Sequence, residues 1–104
     1  MCPTNDDAAT VTLCVLLWAR AGRGPELATY EDEVLRCMAD HDATVLQRVR
    51  SIDDAEGPDE VQVLRFSSST SLDAYLADPR RVALQAARDA AVERTQVIRV
   101  ASIE

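Results

Sequence analysis

The sequence predicts an α+β fold, a four-stranded antiparallel sheet with two helices on one face, and three observations carry that reading. The chain has 104 residues, within the usual size of one domain. It is 47% hydrophobic with only three Gly and four Pro, so it can bury a core rather than stay disordered. Its apolar pattern also changes period in the order strand, helix, strand, strand, helix, strand.

Each element follows from local chemistry. Residues 1–9 are polar and acidic and read as a flexible tail, leaving 10–104 for the domain. Thr10 to Arg20 is almost continuously apolar and suits a strand buried on both faces. Gly24-Pro25 starts a helix, because Pro is favoured in the first turn, and Leu27, Tyr30, Val34, Cys37 and Met38 recur at helical spacing as far as His41. Glu26, Glu31, Asp32 and Glu33 crowd its early turns, at the positive end of the helix dipole.

Thr44 to Ile52 alternates, with Val45 and Val49 on one face and Leu46, Arg48 and Arg50 on the other. A polar turn from Asp53 to Asp59 leads to a second alternating run, Glu60 to Ser67, which completes a hairpin. Thr70 then reads as the N-cap of a helix with Asp73 at the capping-box position, and Leu72, Tyr75 and Leu76 share one face. Asp78-Pro79 interrupts that helix and lets the Asp cap a restart through Val82, Leu84 and the alanines to Ala91. Thr95 to Ile103 closes the chain as a strand, with Ile98 and Val100 opposing Val97 and Arg99.

With right-handed crossovers this order is the ferredoxin-like βαββαβ arrangement. The face turned from the helices keeps Val61, Val63, Val97 and one apolar set of the first strand. Apolar area of that size calls for a cover, and a second copy of the sheet supplies one, which predicts a homodimer.

Charge and cysteines narrow the function. Eighteen acidic residues against eleven basic ones give a net charge of −7, which repels phosphate backbones and anionic lipid and argues against nucleic-acid and membrane partners. Every basic residue is Arg, the mark of a GC-rich, bacterial genome. Cys2, Cys14 and Cys37 form no C-x-x-C pair, so neither a disulfide framework nor a zinc site is expected. Leu13 to Trp18 followed by Ala19-Arg20-Ala21 imitates a secretory signal, yet Asp6 and Asp7 stand where positive charge belongs, so the expected location is the cytoplasm. The same run is too short for a bilayer, which needs about 20 apolar residues.

An ordered series of segments carries a resemblance to a known family: Leu16-Leu17-Trp18-Ala19, Tyr30 to Leu35, Asp40-His41-Asp42, Pro58 to Phe66, and Ala74-Tyr75-Leu76-Ala77-Asp78-Pro79-Arg80-Arg81. Together they are similar to the domain-of-unknown-function family 1330, within the dimeric α+β-barrel superfamily. The likeness spans about residues 10–103, and Tyr-Leu-x-Asp-Pro-x-Arg is its best single marker. The resemblance implies the fold and a dimeric α+β barrel but no catalytic residue. Members usually carry His-Gly-Gly where this chain has His41-Asp42-Ala43.

The candidate site residues are Arg48, Arg50, Arg65, Arg99, Trp18, Tyr30 and His41. Arg65 and Arg99 share parity with Val63 and Val97, so they are expected on the sheet face away from the helices, where a guanidinium fork suits a carboxylate or enolate. The competing reading pairs these cations with the carboxylates of an acidic protein. His41 suits proton transfer if it reaches a cavity, and a capping cation at a helix C-terminus if it does not. Trp18 and Tyr30 are candidate cavity walls or packing residues. No metal-ligand spacing, dinucleotide loop or G-x-S-x-G is present, so no metal or cofactor is expected.

Three functions follow: a binding module for a small anionic or aromatic molecule, a cofactor-independent monooxygenase or isomerase, or a structural dimer with a filled interface.

Overall fold

The computed structural model describes residues 10–53, 56–101 and 103; the expected acidic tail and Cys2 lie outside them. Strand β1 (Val11–Ala19) leads to helix α1 (Gly24–Arg36), which tightens into a 3₁₀ turn over Cys37–His41. Strands β2 (Ala43–Arg50) and β3 (Glu60–Phe66) follow, then three short helices, α2 (Ser69–Leu76), α3 (Pro79–Val82) and α4 (Gln85–Ala91), and strand β4 (Val92–Arg99). The strands form one antiparallel sheet in the order β2-β3-β1-β4. The ferredoxin-like α+β fold is therefore as expected.

Local chemistry sets the element ends. Pro25 stands in the first turn of α1, and Gly22 takes a positive φ of 74° in the turn before it. At the far end Asp42 adopts the left-handed region, φ 52°, and its amide closes on the Met38 carbonyl. Among L residues Asp and Asn tolerate this conformation best. Asp42 thus takes at this turn a conformation that glycine adopts without strain.

Helix α2 starts earlier than the sequence suggests. Its N-cap is Ser68, whose hydroxyl accepts from the Ser71 amide at 3.0 Å, rather than Thr70. In a run of five hydroxylated residues any of several can cap, and the upstream one in extended backbone does so. Asp78 caps α3 as expected, accepting from the Arg80 amide at 2.8 Å.

Two bulges decide which side chains face the helices. Opposite β3, Val45 pairs with Leu64 and Gln47 with Val63, so Leu46 is an extra residue. The alternation expected through β2 breaks there. Val45 and Arg48 both face the helices, while Val49 turns to the open face. A second irregularity at Trp18/Ala19 leaves Glu93 unpaired in β4.

One core cluster joins Val11, Leu64 and Phe66 to Cys37, Met38 and Tyr75, and a second joins Leu17 to Leu27, Tyr30, Val34, Ala91 and Val92. Phe66 is fully buried, a side chain whose removal from water stabilises by about 1.5–3 kcal/mol. On the opposite side of the sheet lie Cys14, Leu16, Trp18, Val61, Val63 and Ile98, aligned by the β1 registers.

Candidate functional site

The strand arginines do not form one group. Arg65 pairs with Thr12, on the open face as expected. Arg99 pairs with Leu13 on the helix side, so it and Val97 lie opposite to where their parity with Val63 suggests. Both faces of β4 carry apolar residues, so its alternation has no sense of direction until the register with β1 supplies one. Arg48 is the best-paired of the four. It reaches Glu60 at 2.6 Å, Asp32 at 2.6 Å and the Ala28 carbonyl at 3.3 Å, and the Glu60 bond foremost raises its pKa. Arg50 pairs with Glu60 across the ladder and borders the surface between β2 and α1.

Trp18 sits on the open face with the Arg94 guanidinium 4.3 Å from its ring centroid, a cation–π contact. His41 is tied down at the other end of the molecule. Its Nε2 lies 2.8 Å from the Asp78 carboxylate, and its ring stands edge-on to Tyr75 with centroids 6.2 Å apart. Arg80 also bonds Asp78, at 2.7 Å, and reaches Asp40 at 2.9 Å. The Arg80 and His41 hydrogen bonds, in that order, hold the Asp78 carboxyl far below the usual range. Ser71 directs its hydroxyl to the His41 carbonyl, not to the ring. The cluster fastens the 3₁₀ turn to α2 and α3.

The chemistry converges elsewhere, in a cavity of about 100 Å³ between the helices and the sheet. Leu13, Val15 and Val97 form part of its apolar wall, and Tyr30, Glu31, Gln62, Tyr75, Arg81 and Arg88 bring polar atoms to it. Of the sequence candidates only Tyr30 is among its lining residues. A larger groove of about 610 Å³ runs between α1 and α4 on the outer surface, with Tyr30 shared between the two.

Glu31 is 5% exposed. Its Oε1 accepts from Gln62 Nε2 at 2.7 Å, and the same amide donates to Glu60 at 2.7 Å. A continuous chain therefore runs from Arg48 through Glu60 and Gln62 to Glu31. Burial pushes the Glu31 carboxyl up, against the opposing hydrogen bond from Gln62. Burial likewise raises the Tyr75 phenol to about 12 and raises that of Tyr30. The Tyr75 hydroxyl donates to the Val34 carbonyl at 3.3 Å.

Arg81 lies with its guanidinium 5.2 Å from the Tyr75 ring centroid. Its Nε is buried and, among the described residues, has no hydrogen-bond partner. Among the described residues Arg88 makes a single side-chain bond, to Thr95 Oγ1 at 3.2 Å. Neither arginine forms an ion pair among the described residues. No group of three or more His, Cys, Asp or Glu side chains in the described residues is placed to hold a metal ion.

The sequence held a signal for three of these residues. Glu31 falls on the buried stripe Leu27, Tyr30, Glu31, Val34 at helical spacing, and Gln62 shares the parity of Leu64 and Phe66. Arg88 falls between Leu84 and Ala91 on one helical face. A polar residue at a core position is the informative exception. Arg81 follows a helix break, where no periodicity places it.

Residues 20–101 match the family described as Domain of unknown function (DUF1330). No curated protein matches the sequence significantly. Among solved structures, a protein of unknown function from Rhodopseudomonas palustris aligns with a TM-score of 0.76 at 18% identity, over 96% of this chain and 87% of that one. A dimeric protein of unknown function with a ferredoxin-like fold from Bacteroides fragilis aligns at 0.68 and 12% identity, over 88% and 94%. SnoaB, a cofactor-independent oxygenase from Streptomyces nogalater, aligns at 0.70 and 12% identity, over 93% and 96%. At these identities the likeness is one of fold. No helix in the described residues is long and apolar enough to cross a membrane.

Proposed function

The chain belongs to the DUF1330 family, and we propose that it binds a small anionic molecule in the cavity between its helices and its sheet. One observation carries this reading: Arg81, whose buried Nε has no hydrogen-bond partner among the described residues, is one of the residues that line that cavity. An unmet buried donor costs about 1–3 kcal/mol, more when charged, and a bound carboxylate would recover it. Arg88 adds a second cation, and Tyr30 and Tyr75 give flat walls for a planar acid. In this proposal the anion-binding role expected of Arg65 and Arg99 passes to Arg81 and Arg88.

The volume limits the ligand. A closed cavity of about 150 Å³ accommodates benzene, and this one is smaller, so a small acid fits its enclosed part better than a polyketide-sized molecule. A second copy covers the open sheet face in this reading, supported by the apolar row of Leu16, Trp18, Val61, Val63 and Ile98 and by the dimeric relative. That contact leaves the helix-side cavity intact, so a filled sheet–sheet interface and a binding site are compatible.

The test is a titration of the full chain with pyruvate and acetate, followed by NMR chemical-shift changes. Arg81→Met should weaken the tighter ligand at least about tenfold, the value of one lost charge-assisted hydrogen bond. Unchanged affinity in Arg81→Met would sink the assignment. Sedimentation of the full chain should give a dimer, and Trp18→Glu should shift it to monomer.

A further inference from the structure

The same cavity holds a carboxyl that anion binding alone does not need. Glu31 is buried at its wall, and like charge from Glu60 lies one amide away. An anion-binding pocket gains nothing from a carboxylate beside its arginines, since the carboxylate competes for them. A site that moves a proton does need such a group, fixed in direction and shielded from water.

Resting on the binding reading above, we propose that Glu31 is a general base that removes a proton from the carbon next to the carbonyl of a small oxo-carboxylic acid held by Arg81 and Arg88. The C–H bond breaks, its electron pair becomes the C=C bond of an enolate, and the proton is held on Glu31. The carbonyl oxygen takes the negative charge. Return of that proton to the oxygen completes a keto–enol tautomerisation; replacement of the Glu31 proton by one from solvent, followed by protonation of the carbon, completes an exchange. Nothing is oxidised or reduced and no co-reactant is consumed.

Each part has a residue. Gln62 is the positioning residue: one amide nitrogen donates to both Glu31 and Glu60, which fixes the Glu31 Oε1 and leaves Oε2 for the substrate. Arg48 neutralises Glu60 from the far side, so the second carboxylate does not add a full charge to the pocket. The two cavity arginines meet the charge that develops on the enolate, and fixed cations in a shielded site are among the strongest contributors to such a step. Burial also places the Glu31 carboxyl above the ordinary glutamate range, closer to neutral pH, where a general base works best.

The experiment follows deuterium incorporation at C3 of pyruvate and of 2-oxobutanoate by NMR in D₂O, with the full chain and with buffer alone. The chain should accelerate exchange. Glu31→Gln keeps the shape and the Gln62 contact and should lower the rate at least about 100-fold, the usual contribution of a general base. Glu31→Asp should retain part of it, which separates lost chemistry from lost folding. Arg81→Met should raise the concentration that half-saturates the rate and also lower the saturated rate, since Arg81 meets both the bound acid and the enolate charge.

With Glu60, Arg48, Arg81, Arg88, Tyr30 and Tyr75 as its charged or titratable neighbours, Glu31 should give a rate that rises with pH through an inflection above 4.5. Binding of the acids without accelerated exchange, or acceleration that survives in Glu31→Gln, overturns the proton-transfer proposal and leaves the binding reading standing. Absence of binding to the parent chain overturns both.

Discussion

Tyr75 separates two polar clusters that obey opposite rules. On one side His41, Asp78, Arg80 and Asp40 form a closed set in which the buried carboxylate has four donors and every charge an opposite. On the other side the chain from Arg48 to Glu31 is satisfied within itself, but Arg81 retains a buried donor that has no acceptor among the described residues. Both contain titratable groups displaced from their ordinary pKa values. Displacement alone therefore does not mark a site. The incomplete hydrogen-bond inventory does, because native interiors leave few polar atoms unpaired and each exception asks for a reason.

The most disruptive test of that contrast removes the partition. Tyr75 is buried, packs on Phe66 and stands between His41 and Arg81. Tyr75→Ala should cost about 3–5 kcal/mol in urea unfolding; a loss near 1 kcal/mol would mean that neither cluster depends on the ring.

Asp78→Asn should come next. The folded carboxyl titrates below its unfolded value, so its stabilisation is present above about pH 4 and is lost as pH falls through the folded pKa. The variant should melt below the parent at pH 7, with the gap closing in acid. A gap independent of pH would show that Asp78 contributes shape rather than charge.

Glu31→Gln should show the reverse sign. A carboxyl raised in the folded state favours folding most below its unfolded pKa of about 4.3, and that advantage is lost as pH rises through the folded value. The variant should therefore gain on the parent in thermal melts as pH increases from 4 toward neutrality. Smallest of all, Tyr75→Phe removes only the bond to the Val34 carbonyl, about 0.5–1.5 kcal/mol.

Elements that rest on strong local chemistry were legible in the sequence. Pro25 and the stripe from Leu27 to Met38 place α1, and Asp78-Pro79 places the break and its cap. What escaped depends on partners far along the chain. The Leu46 bulge exists only against β3, and the sense of β4 only against β1. For that reason three of the four strand arginines lie on the helix side. The site itself was half visible: Glu31 and Gln62 are polar residues on apolar stripes, whereas Arg81 gets its place from the helix break.

The bulge also makes the gene unequally tolerant of small edits. Losing the codon for Leu46 would hardly change composition or net charge, and regular alternation through the strand would return. Arg48 and Arg50 would keep Gln62 and Glu60 as their ladder partners and stay on the helix side, because the residue removed is the one that has no partner in β3. The strand can thus absorb one in-frame deletion at the bulge with the relay from Arg48 to Glu31 left in place, whereas a deletion between Arg48 and Arg50 has no spare residue to draw on.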